Sequence, residues 1–139
     1  MPTLIDLPRF LINRLLHQAQ SSPNSEICGL IGARNGQACS CYPVRNVAAC
    51  PSERFDMDPA QQIEAMRRMR ESDEELFAIY HSHPSAPAEL SAIDLEQLSE
   101  LGSLQIVISL NTKGVLEMRG FQIHSKSCIE EVTLKLGER

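Results

Sequence analysis

The sequence holds no charge-free apolar run near the ~20 residues that span a bilayer as a helix, and it has no surplus of positive charge. Thirteen Lys and Arg stand against eighteen Asp and Glu, a net charge of −5. Nucleic acid and an anionic membrane surface are therefore both unfavourable partners. The chain also lacks any C-x-x-C pair. Its five cysteines, Cys28, Cys39, Cys41, Cys50 and Cys128, are odd in number and scattered, which argues against a zinc knuckle, a thioredoxin-type redox motif and a disulfide framework. Five reduced thiols are expected. Cys39 and Cys41, two apart on a strand, would pack on one face, with metal binding by that pair as the weaker alternative. There is no repeat of 20–50 residues, no low-complexity tract and no long linker, so a single domain over 1–139 is the simplest organisation. The opening Met1-Pro2-Thr3-Leu4-Ile5-Asp6 has neither a basic n-region nor a small-residue cleavage site, and a cytoplasmic location is expected.

At 139 residues, 42% hydrophobic and 22% charged, the chain is large enough to bury roughly two thirds of its unfolded surface around one core. Asp6 as N-cap and Pro8 in the first turn predict a helix that carries Phe10, Leu11, Leu15, Leu16 and Ala19 and ends near Ser21. The Asn35-Gly36 pair predicts a tight hairpin between strands over 27–34 and 37–48. Arg54 to Met57 reads as a short strand, stopped by the cap-like Asp58-Pro59. A second helix follows, with Ile63, Met66 and Met69 on one face. Leu76 to His83 reads as a buried strand that breaks at Pro84. Ser91 opens a short third helix with Ile93, Leu95, Leu98 and Leu101 as its apolar members. Strands over 104–110, 115–123 and 129–136 complete the chain, with a turn at Asn111 to Gly114. The order α-β-β-β-α-β-α-β-β-β implies an α/β (α+β) fold, a mixed sheet flanked by helices.

Chemistry concentrates at the end of the fourth strand. In His81-Ser82-His83-Pro84 the period of two points both imidazoles the same way, about 6.5–7 Å apart along the strand, within reach of one metal ion. Catalytic zinc takes three protein ligands and keeps a fourth position open. Asp94, in the first turn of the third helix, can face back across the Pro84–Leu90 loop as the third ligand. Taken alone, an H-x-H is a weak motif, and Ser91-Ala92-Ile93-Asp94 is also an ordinary capping box. His17 and His124 lack ligand spacing and read as solvated or packing residues. Pro84 fixes the exit of the strand, and Ser82 alternates to the face opposite the histidines.

The joint pattern is more specific. Glu26 before an apolar strand, then His81-Ser82-His83-Pro84, then Ser91-x-x-Asp94 with ten residues between His83 and Asp94, resembles the JAMM motif of MPN-domain metallopeptidases. The likeness extends to Glu26–Gly32, Pro43–Val47 and Arg54–Pro59, covers about residues 5–123, and in size is similar to the bacterial single-domain branch. It implies an MPN/JAB1, cytidine-deaminase-like architecture and one Zn²⁺ held by His81, His83 and Asp94. Glu26 would serve as general base for an activated water, and Ser91 as hydrogen-bond donor to the tetrahedral oxyanion. It further implies hydrolysis of an amide at the C-terminus of a ubiquitin-like sulfur-carrier protein or its conjugate, by removal of a terminal amino acid or trimming to Gly-Gly. A non-catalytic MPN scaffold or tail-binding module is the alternative. A zinc deaminase is not, because its H-x-E and P-C-x-x-C signature is missing. The oligomeric state is left open by the sequence.

Overall fold

The structure, a computed structural model, describes residues 3–97, 104–111, 116–125 and 127–136. Its elements run β1 (Leu4–Leu7), α1 (Arg9–Gln20), β2 (Cys28–Arg34), β3 (Gln37–Val44), α2 (Pro59–Glu71), β4 (Glu75–His83), α3 (Ala92–Gln97), β5 (Leu104–Ser109), β6 (Glu117–Ser125) and β7 (Cys128–Leu136). Seven strands form one mixed sheet in the order β1-β7-β6-β5-β4-β2-β3. The flanked mixed sheet expected from the sequence is the one found. No helix among the described residues is long and apolar enough to cross a membrane.

Both faces of the sheet are covered. On one, α1 buries Leu11, Ile12, Leu15 and Ala19 against Ile31, Ala78, Tyr80, Ile106 and Ile108. On the other, α2 lays Ala65 and Met69 over Leu30 and Tyr42, while the loop after β4 packs Ala88 and Leu90 on Val107, Phe121 and Ile123. Alternation along β4 sorts its residues accordingly. Ala78 and Tyr80 face α1, while Ile79 packs toward α2, and His81 and His83 continue the second series. Pairing of β4 is antiparallel with β2 and parallel with β5. A parallel pair needs a crossover connection, and that connection carries α3 over the C-terminal end of β4.

Five expectations are corrected. Asp6 is not a helix cap: it lies in β1, which pairs in parallel with β7 through Leu4↔Thr133 to Leu7↔Leu136, and the N-cap of α1 is Pro8 without a side-chain bond. Pairing on the free edge of β7 and burial of Leu7 outweigh one capping hydrogen bond. Residues 54–57 form no strand, only the isolated bridge Asn46↔Met57, and β3 stops at Val44 rather than near 48. On α2, Ile63 is 69% and Met66 39% exposed, because the helix meets the sheet along the Ala65–Met69 line, one turn apart on a different stripe. Cys39 and Cys41 do not pack as an equivalent pair, since the β2–β3 register slips at Cys39; Cys41 donates to the Tyr80 hydroxyl (3.3 Å). The hairpin is as expected, with Asn35 and Gly36 both at positive φ, the type I′ requirement. Leu98, Leu101 and the residues 112–115 of the predicted turn and strand start lie outside the described residues.

Tyr80 is fully buried, and its hydroxyl donates to Gln18 Oε1 (2.6 Å). Its ring crosses β2 at Gly29, where a Cβ would lie 2.3 Å from the Tyr80 hydroxyl and 2.6 Å from the Tyr42 carbonyl oxygen. Backbone cannot retreat as a flexible side chain would. Gly29→Ala is therefore expected to cost about 1–3 kcal/mol in urea unfolding, and an unchanged midpoint would contradict this packing.

Candidate metal centre

Glu26 stands just before β2, His81 and His83 end β4, and Asp94 lies in the first turn of α3. The fold brings these four together: one potential ligand atom from each lies within 4.8 Å of all the others. All four are buried, at 3%, 0%, 2% and 4% exposure. Burying four ionisable side chains costs folding stability unless they are paired or bind an ion, so this concentration marks a functional site.

Hydrogen bonds set each member. The Ile27 N–H donates to Ser82 Oγ (2.9 Å) and the Ser82 N–H to the Ile27 carbonyl (3.0 Å), which anchors the entrance of β2 against the end of β4. His83 Nδ1 lies 2.8 Å from the Pro87 carbonyl. A carbonyl only accepts, so Nδ1 carries the proton, and in neutral His83 the Nε2 atom is a bare lone pair. Ser91 and Asp94 cap one another: the Ser91 N–H donates to Asp94 Oδ2 (2.9 Å), and the Asp94 N–H donates to Ser91 Oγ (3.0 Å). Accepting that bond leaves the Ser91 hydroxyl hydrogen free to donate elsewhere. His81 is oriented differently, its ring stacked on Phe55 at 4.6 Å and 27°. Its Nδ1 has no hydrogen-bond partner among the described residues.

Three atoms form a nearly equilateral triangle. His81 Nε2 and His83 Nε2 are 3.1 Å apart, and Asp94 Oδ2 is 3.0 Å from the first and 3.1 Å from the second. Two imidazole lone pairs and a carboxylate oxygen repel at that distance unless a proton or a cation lies among them. A tetrahedral ion with ligands at about 2.0–2.1 Å separates neighbouring ligand atoms by about 3.3 Å, so the triangle fits a metal face closely. The donor set of two nitrogens and one carboxylate suits zinc, and Glu26 Oε1 and Asp94 Oδ1, both buried and without hydrogen-bond partners among the described residues, remain available to groups at its open side.

The electrostatics follow from burial and from those contacts. Burial pushes Glu26 up to about 7; nearby His83 pulls it down and Asp94 adds to the rise. Burial also drives His81 below its ordinary value. For His83 burial acts downward too, but hydrogen bonds to Asp94 and Pro87 outweigh it and leave the ring above its usual value. Burial alone would raise Asp94, yet its bonds from His81 and His83 hold it well below the carboxylate range.

Sequence reasoning identified every member of the cluster and Ser91 but missed what orients them. Phe55, Asn46 and the Pro87 carbonyl carried no chemical signal of their own. Phe55 and Asn46 do fall within the Arg54–Pro59 and Pro43–Val47 stretches of the family likeness. His17 and His124 lie outside the cluster, and His124 instead meets Glu130 at 3.1 Å. No cysteine joins it among the described residues.

Because the folded-state value of Glu26 is raised from 4.5 to about 7, this carboxyl binds more protons in the native metal-free protein than in the unfolded chain between those values. The stability that Glu26 contributes is lost as pH rises through that window. Glu26→Gln removes this loss, so in chelator-treated protein its stability relative to wild type is expected to grow from pH 5 to pH 8. A difference in urea midpoints that is equal at both pH values would show that Glu26 is not desolvated.

Comparison with known proteins agrees with the geometry. The family model of prokaryotic homologs of the JAB domain matches residues 8–122. The desampylase of Pyrococcus furiosus is 28% identical over 132 residues, covering 95% of this chain and 89% of that protein. The CysO-cysteine peptidase of Mycobacterium tuberculosis is 26% identical over 125 residues, with 87% and 84% covered. The solution structure of protein DSY2949 from Desulfitobacterium hafniense superposes with a TM-score of 0.87 at 30% identity, over 97% of this chain and 94% of that one. The chain belongs to the prokaryotic JAB family, and with it to the JAMM-type hydrolases.

Proposed function

We propose that this protein is a zinc-dependent peptidase or isopeptidase that hydrolyses the amide bond at the C-terminus of a ubiquitin-like, sulfur-carrier protein or of its conjugate. The observation that carries the reading is the buried Glu26-His81-His83-Asp94 cluster, with three of its atoms spaced for a metal face and the fourth group set apart as a carboxylate with a raised pKa. The substrate class is supported by relatives named desampylase and CysO-cysteine peptidase. Five free cysteines suit the reducing cytoplasm. A scaffold has no need of four buried ionisable groups, so that reading is not favoured.

His81 Nε2, His83 Nε2 and Asp94 Oδ2 would hold the ion, and Pro87 fixes the tautomer of His83 that presents Nε2. Bound zinc supplies Lewis acidity, which lowers the pKa of water toward 7 and polarises the scissile carbonyl. Glu26 accepts the proton of the attacking water and later delivers it to the leaving amine, a task for which a carboxylate lifted toward neutrality is well matched. Ser91 donates its free hydroxyl hydrogen to the developing oxyanion while its Oγ goes on capping α3. Both roles of Ser91 act together because the hydroxyl accepts from one side and donates to the other.

Two substitutions test this. Glu26→Gln should keep one zinc per chain and lose cleavage of a sulfur carrier extended beyond Gly-Gly, read by mass spectrometry; full cleavage by this variant would remove Glu26 as the base. Ser91→Ala should lower kcat by about 10²–10³ and cost about 1 kcal/mol of stability. A stability loss with unchanged kcat would leave Ser91 as a cap only.

A further inference from the structure

Asn46 has no place in the metal-binding motif, yet its side chain is held on every hydrogen-bonding position it has. Its Nδ2 group donates to the Glu26 carbonyl and to the Arg54 carbonyl, both at 3.0 Å. Its Oδ1 accepts from the Ala48 and Asp56 N–H groups, also at 3.0 Å. Two donors and two acceptors are the full capacity of an amide side chain.

Those four bonds join Glu26 to the segment that carries Phe55. Arg54 and Asp56 flank Phe55, so Asn46 grips the peptide groups on both sides of the residue whose ring stacks on His81. His81 Nδ1 finds no partner among the described residues, and the ring lies in a plane set by Phe55 rather than by the second hydrogen bond that usually orients a metal-binding histidine. The third bond reaches Glu26 itself. Its carbonyl is held by Asn46, and its N–H donates to the Pro51 carbonyl (2.7 Å) within the same 47–57 segment, which Val47 N–H to Asp56 carbonyl (2.8 Å) closes at its base. Both backbone groups of Glu26 are thus fixed by one loop, and Asn46 is the hub of that loop.

We infer that Asn46 is a positioning residue for catalysis, setting the Glu26 carboxylate and, through Phe55, the His81 ring in one frame. The inference rests on Glu26 acting as the base. Aspartate at this position is isosteric but acceptor-only, so it would place oxygen against the Glu26 and Arg54 carbonyls and release both while keeping the bonds from Ala48 and Asp56.

The test is Asn46→Asp in the zinc-loaded protein, with a sulfur carrier extended beyond Gly-Gly as substrate. Zinc should stay at one per chain, kcat should fall about 100-fold, as expected for misplaced catalytic groups, and KM should move by less than about threefold. Amide hydrogen exchange gives a reading independent of turnover. The Glu26 amide, whose peptide frame is released, should exchange faster, while Ala48 and Asp56, whose acceptor aspartate retains, and Ile27 and Ser82, tied to each other instead, should keep wild-type protection. If Asn46→Asp does not unfold cooperatively, Asn46→Ser, which keeps one donor and one acceptor, is measured in its place against the same expectations. An unchanged kcat, a loss of kcat in proportion to lost zinc, or a rise confined to KM would each overturn the inference. Glu26→Gln run in parallel separates the two failures: if it turns over normally the base assignment falls, and if it is inactive while the Asn46 variant is not, only the positioning role falls.

Discussion

The reciprocal hydrogen bonds between Ile27 and Ser82 are the constraint on which the site depends. They continue the β2–β4 ladder by one residue past Cys28↔His81, at the point where β2 begins and β4 ends. Glu26 and His81 are 55 positions apart in the sequence, and this register makes them neighbours. A slip of one residue would turn His81 and His83 toward α1 and bring Tyr80 and Ser82 to the metal face. Because Tyr80 fits only over Gly29, the alternative register also meets a steric barrier.

Around that register the protein assembles charges that would not otherwise be buried. Asp94 is stabilised by two histidines and the Ser91 N–H, and one histidine has its tautomer set by Pro87. Glu26 receives no comparable support. It stays a poorly solvated carboxylate, destabilising as an anion in the metal-free protein and for the same reason effective at taking a proton near neutrality. The stability cost and the chemical competence have one cause, the removal of water from its carboxylate.

Much of this was legible in the sequence for physical reasons that can be named. Period two in β4 put His81 and His83 on one side, the capping chemistry of Ser91 and Asp94 fixed the start of α3, and Asn35-Gly36 set the hairpin. These are local rules, satisfied within a few residues. What the sequence misjudged was decided by distant partners. Asp6 looks like a cap only until Leu4–Leu7 meets the edge of β7. Ile63 and Met66 look like a core stripe only until α2 is seen to rest on Ala65 and Met69. The 54–57 stretch has strand composition, but the Asn46 amide takes up its Arg54 carbonyl and Asp56 N–H, the groups that a neighbouring strand would need.

By itself, then, the sequence determined the chemical inventory of the site, its placement at a strand end and a helix start, and the family that the inventory belongs to. Only the tertiary structure decided the 3.0–3.1 Å triangle, the elevated proton affinity of Glu26 and the role of the 47–57 loop in holding Glu26 and Phe55. Residue type and spacing encode which groups exist and which way a strand or helix turns them. Distances between segments, and the burial that shifts proton affinities, arise only when separate segments share one core.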